Sequence, residues 1–146
     1  MVAMGGYVWW WSNVPPVTLF RLAITGGTPE IVAFNTTSLF STSDRVYAGG
    51  FEYVDGSYRS LIRSFDSDAA ATVIVDHLTQ QQEPLYLVAD RGELFWTGLD
   101  GVLYRVGEGA PASVQAVPNG AGGPFVVRDT DLLVDFSREG FRSIAR

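Results

Sequence analysis

Cysteine is absent from this sequence, histidine occurs once, and all ten cationic side chains are arginine. Without cysteine there is neither a disulfide framework nor a thiolate metal site. A single histidine excludes a His-rich zinc centre and leaves little basis for a hydrolase triad. The net charge of -6 withholds the basic face that nucleic-acid recognition needs, so no nucleic acid is expected as a partner. Apolar runs long enough to span a bilayer are also missing, and the opening MVAMGGYVWWW has no positively charged leader. That start reads as neither a signal peptide nor an anchor. The expectation is a soluble chain with no membrane span, although a piece cut from a longer exported precursor would look the same.

Stretches of Ala, Leu, Glu and Lys at helical spacing are scarce, whereas nine Phe, six Tyr, four Trp and sixteen Gly stand among 146 residues. Aromatic-rich segments punctuated by glycine favour strands and turns. With 47% hydrophobic and 18% charged residues the chain can build a core, and its length suits one domain.

The apolar segments are short, about five residues each, and fourteen of them alternate with Gly, Pro, Asn, Asp or Ser turns. Aligning LFRLA, LIRSF, LYRVG and GFRSI places Arg21, Arg63, Arg105 and Arg142 at intervals of 42, 42 and 37 residues. Each arginine follows a hairpin whose first strand is aromatic or bulky: YVWWW, RVYAG, ELFWT and LLVDF. A third strand and then a further one lead into the next hairpin. Four antiparallel strands per forty or so residues, without helices, is the pattern of a β-propeller blade. The fold class expected is all-β, a propeller-like array of four-stranded antiparallel blades. The alternative is a β-sandwich, in which a regular period has no physical cause.

A single domain over 1–146 is expected to hold about four blade repeats, near 1–35, 36–78, 84–118 and 123–146. Lettered from the axis outward, its strands read BCD, ABCD, ABCD, ABC. The first unit is thus expected to lack its innermost strand and the last its edge strand.

ELFWTGLDGVLYRVGEG resembles the YWTD-type blade of low-density-lipoprotein-receptor propellers and of related bacterial repeats. LAITGGTPEIVAF at 22–34 is similar to the outer half of the same unit. The chain departs from that pattern where Tyr47-Ala48 and Val134-Asp135 replace the Tyr-Trp pair, and at Gly98, where an acidic or amide residue is usual. The resemblance implies a fold and says little about chemistry.

About three and a half blades form an arc whose end faces are apolar. It would close alone as a four-bladed ring, associate with further copies, or belong to a longer chain. Two copies joined head to tail give an eight-unit ring, and a junction of about 800 Å² per partner is large enough to hold it. A homo-oligomer through the end blades is therefore expected. Trp9, Trp10 and Trp11 are the candidate interface residues, with Trp9 and Trp11 on one strand face and Trp10 on the other.

Other candidates rest on loops. FEYVDGSYRS reads as a long contact loop for a protein or glycan, with Glu52, Tyr53, Asp55 and Tyr58 as binding residues. Asp76 and His77 sit near a strand end on the expected ligand side, as a possible acid/base or metal pair, though a surface histidine before a polar loop is the plainer account. QQQEP shows nothing beyond solubility.

Glu52, Asp55, Asp76, Asp100, Asp129, Asp131 and Asp135 are hard oxygen donors that would suit calcium or another divalent ion, as in gluconolactonase-type propellers, but no EF-hand spacing is present. Most flank turns, where Asp bonds the backbone. Asp135 falls inside a strand and, if inward, needs a cationic partner. The repeated arginines are expected to pack between blades and pair with carboxylates or carbonyls. The function expected is a non-catalytic binding or scaffolding module without a cofactor. The alternative is a lactonase-type or other hydrolase enzyme with a divalent metal at the ring axis.

Overall fold

The computed structural model describes residues 1–108, 113–121, 123–128, 131–135 and 141–145; the side chains of 119–121, 133–135, 141 and 145 lie outside that description. The described residues form fifteen strands and one 3₁₀ turn, Gln80–Gln82, with no α-helix.

Four separate antiparallel sheets follow one another along the chain. Sheet 1 is β1 (Val2–Met4), β2 (Tyr7–Ser12), β3 (Thr18–Ala23) and β4 (Glu30–Phe34). Sheet 2 is β5 (Thr36–Ser41), β6 (Val46–Val54), β7 (Ser57–Phe65) and β8 (Ala71–Leu78). Sheet 3 is β9 (Tyr86–Asp90), β10 (Glu93–Thr97), β11 (Val102–Gly107) and β12 (Gln115–Ala121). Sheet 4 has three described strands, β13 (Phe125–Val127), β14 (Asp131–Asp135) and β15 (Phe141–Ala145). This is an all-β array of blade-like sheets, not two sheets of a sandwich.

The first strands of the sheets touch in sequence, β1 on β5, β5 on β9 and β9 on β13, so they form the inner side of the array. Side-chain alternation gives each sheet two faces. One looks back to the preceding sheet and one forward to the next. Met4, Trp9 and Leu19 of sheet 1 pack on Val46, Ala48 and Phe65 of sheet 2. Tyr47, Ile62 and Val75 of sheet 2 pack on Leu94, Trp96 and Tyr104 of sheet 3. Phe95, Leu103 and Val117 of sheet 3 pack on Phe125 and Leu132 of sheet 4. Among the described residues the core is therefore three layers, one per junction.

Two sequence expectations are corrected. Sheet 1 does possess an inner strand: β1 pairs with β2 through Val2↔Trp9 and Met4↔Tyr7. Its three residues, VAM, are too short to show a period, and Gly5-Gly6, both at positive φ, supply the reversal. The second correction is FEYVDGSYRS, which is not a loop. β6 and β7 are nine residues each and pair without interruption from Val46↔Phe65 to Val54↔Ser57. The turn is only Asp55-Gly56, at φ 51° and 76°, the left-handed pair that a two-residue hairpin demands. Polar residues along the outer half of this hairpin made it look like a loop in sequence.

Candidate functional site

The extended hairpin carries four of the predicted binding residues, and strand alternation sorts them by face. Glu52 lies opposite Arg59, and Tyr53 opposite Tyr58. On the backward-looking face Glu52 accepts from Arg59 and, at 2.8 Å, from Arg63 Nη2. Arg59 Nε also reaches Asp76 Oδ1 on β8 at 3.1 Å. This chain of two carboxylates and two guanidinium groups crosses three strands and braces the hairpin base. Beside it Glu52 and Arg63 border a cleft of about 270 Å³, whose other walls include Phe34, Phe51 and Phe65.

The opposite face is aromatic. Phe51 and Tyr58 stack at 5.4 Å between centroids, and Tyr53 stands edge-on to Tyr58 at 5.7 Å. Tyr53 is 67% exposed. Tyr58 donates its hydroxyl to Glu83, a carboxylate only 7% exposed. Burial, with the Glu83 bond and charge adding to it, raises the Tyr58 pKa far above its ordinary value.

Glu83 belongs to the QQQEP segment, which sequence reasoning dismissed and which fastens sheets 2 and 3 together. Gln82 O accepts from Trp96 Nε1 at 2.9 Å, Gln81 O from the Asp100 amide at 3.0 Å, and Pro84 O from Thr37 Oγ1 at 2.9 Å. These are backbone acceptors, and no side-chain pattern announces them. The same segment explains Gly98: a Cβ there would lie 2.7 Å from Gln81 O and 2.7 Å from Asp100 Oδ1.

His77 and Asp76 do adjoin, with His77 Nε2 3.7 Å from Asp76 Oδ2, but the histidine side chain is 78% exposed. Its φ of 56° and the amide bond to Asp76 Oδ1 at 2.7 Å mark a backbone irregularity near the end of β8. Asp55 sits at the hairpin tip, apart from both. Of the remaining carboxylates, Asp100 accepts from the Val102 amide and, at 2.6 Å, from the Tyr104 hydroxyl, while Asp131 accepts from Ser143. Asp129 and the side chain of Asp135 lie outside the described residues. Among the described residues no group of three or more His, Asp or Glu side chains is close enough together to hold a metal ion.

The four arginines of the period all stand on the third strand of their sheet, but they do not share a face. Arg21 lies opposite Trp9, and Arg105 opposite Phe95, on forward-looking faces. Arg63 lies opposite Ala48 on a backward-looking face, and Arg142 pairs with Val134 on β14. Equal spacing in sequence hid this, because hairpins of different length shift the side-chain parity. Arg21 covers Tyr7 at 4.4 Å, bonds Ser67 O at 2.8 Å and pairs with Glu30 at 2.7 Å. Arg105 Nη2 meets Gln115 Oε1 at 3.2 Å.

The tryptophan prediction is corrected as well. Trp9 is fully buried inside the first junction and is no interface candidate. Trp11 is half-buried beside Ser38, Tyr86 and Phe125, near the inner strands. Trp10 points the other way, stacked on Phe20 at 5.5 Å. Register places Val8, Trp10, Phe20 and Leu22 on one face of sheet 1, with Ala3 and Ile31 at its flanks. None of these six belongs to the three junction cores; Ile31 is 59% exposed and Trp10 half-buried. Sequence reasoning singled out Trp10 but missed the strand partners that make this face continuous.

No family model matches the chain, and no curated protein sequence matches it. Among solved structures it is similar to the computationally designed Ika8 protein, at 10% identity and a TM-score of 0.49 over 97% of this chain and 56% of that one. It is also similar to a protein named as a candidate 6-phosphogluconolactonase from Bacteroides fragilis, at 14% identity and a TM-score of 0.49 over 88% and 44% respectively. The chain thus spans about half the length of each.

Proposed function

We propose that this chain is a non-catalytic binding or scaffolding module of YWTD-like propeller blades, whose arc is completed by further blades from another copy or from a longer chain. The observation that carries the reading is the apolar face of sheet 1, where Val8, Trp10, Phe20, Leu22 and the 59% exposed Ile31 form one surface. A contiguous apolar patch of this kind marks an association surface. The braced hairpin adds a second contact element for a protein or glycan, with Tyr53 presented at its outer end.

Mass in solution tests the reading. Sedimentation of the wild-type chain at tens of micromolar is expected to give two or more copies, with Trp10→Asp lowering the mass. A compact wild-type monomer overturns self-association. Melting with and without added calcium tests the lactonase-type alternative, because an ion bound only by the folded state raises the melting temperature.

A further inference from the structure

The face of sheet 1 repeats a device that the chain uses at one of its own junctions. Trp96 on β10 lies directly opposite Tyr104 on β11, and the two rings stack at 5.5 Å and 24°. That pair is the backward-looking surface of sheet 3, buried to 0% and 8% against Tyr47, Ile62 and Val75 of sheet 2. Trp10 on β2 lies directly opposite Phe20 on β3, and those rings stack at 5.5 Å and 17°. Trp10 and Trp96 hold the same place, a second-strand tryptophan on the backward-looking face beside a third-strand aromatic. One pair is covered by a preceding sheet; the other belongs to none of the sheet junctions among the described residues.

We infer that the Trp10–Phe20 face of sheet 1 receives the forward-looking face of sheet 4 from a second copy of this chain. The inference rests on the self-association proposed above and names the partner surface. Each junction inside the chain joins a forward face to a backward face, never two of one kind. Sheet 4 spends its backward face on sheet 3, through Phe125 and Leu132. Val126, between Phe125 and Val127 on β13, turns to the other side and is 57% exposed. The contact is therefore heterologous, head to tail, and two copies close it by using both junctions.

Complementation distinguishes this arrangement from any self-complementary one. Trp10→Asp alters the backward face of sheet 1, and Val126→Asp the forward face of sheet 4. Each variant alone is expected to sediment as a monomer with an unchanged circular dichroism spectrum, and an equimolar mixture is expected to form a 1:1 dimer through the one intact junction. If the wild type assembles while Val126→Asp still assembles alone, the contact joins two sheet-1 faces and this inference fails, though self-association stands. A monomeric wild type removes both.

Should either variant fail to fold, cysteine cross-linking decides, since the chain has no cysteine of its own. A short bis-maleimide is expected to join a Val8→Cys copy to a Val126→Cys copy, and not two Val8→Cys copies. The reverse pattern overturns the inference.

Discussion

Tyr58 and Glu83 meet across two elements that are 25 residues apart, the long hairpin of sheet 2 and the segment that leads into sheet 3. The phenol is the donor and the carboxylate, almost wholly removed from water, is the acceptor. Truncating the donor would leave a buried charged acceptor without it. Tyr58→Phe is therefore expected to destabilise the fold by about 3 kcal/mol, at the upper end for a lost partner of a charged group. Urea unfolding measures it; a change under 0.5 kcal/mol, within the range of an ordinary surface substitution, would show that the bond does not fasten the hairpin.

Gly98 has no room for a side chain, because Gln81 O and Asp100 Oδ1 both stand 2.7 Å from where its Cβ would be. Gly98→Asn, which restores the residue type usual in the resembling blades, is expected to cost roughly 1–3 kcal/mol through overpacking. Thermal unfolding of the variant checks this, and an unchanged melting temperature would mean that the segment moves aside freely.

Three tyrosines, Tyr47 and Tyr104 buried and Tyr58 half-buried, hold their protons more tightly in the fold than in the unfolded chain. Burial is the first cause for each, followed by a bond to a carboxylate: Glu108 for Tyr47, Glu83 for Tyr58 and Asp100 for Tyr104. Tyr104 is pushed up to about 12, and the other two shift in the same direction. A raised folded pKa means that this stability is fully present below the ordinary value of 10.0 and is lost as pH climbs from there toward the folded pKa. Between pH 10 and 12 each tyrosine is expected to remove at most about 1.4 kcal/mol per pH unit. Denaturant melts at pH 8, 10 and 11 should fall in that order, and Tyr104→Phe should flatten the slope.

The ion pairs of Glu52 with Arg59 and Arg63 are a quarter or so exposed. Glu52→Gln is accordingly expected to cost no more than about 1 kcal/mol, with the difference shrinking in 1 M salt. Equal losses at low and high salt would point to packing of the side chain rather than its charge.

Trp9 and Trp10 are sequence neighbours with opposite fates. Trp9→Ala should cost about 3–5 kcal/mol, as expected for a large aromatic side chain removed from a core, whereas Trp10→Ala should change assembly more than monomer stability. Melting and sedimentation of the two variants separate these effects; equal destabilisation would mean that sheet 1 has no free face.

Much of the architecture was legible because strand patterning is local. Aromatic runs, turn residues and the spacing of Arg21, Arg63 and Arg105 announced short antiparallel strands in an array. The three-residue strand Val2–Met4 was missed for want of a pattern, and the outer part of the second-sheet hairpin, residues 51–60, was mistaken for a loop because its polar residues serve ion pairs and an aromatic surface. Glu83, Gln81 and Gln82 were invisible as fasteners, since two of the three act through backbone carbonyls that any residue carries.

By itself the sequence determined the all-β class, the hairpin order and the opposite directions of Trp9 and Trp10, because alternation and turn chemistry depend only on neighbouring residues. Tertiary structure decided which of those tryptophans is core, which arginines look forward or backward, and which carboxylates find arginines. Those outcomes depend on the packing of one sheet against the next, and a change of one residue in a hairpin reverses them.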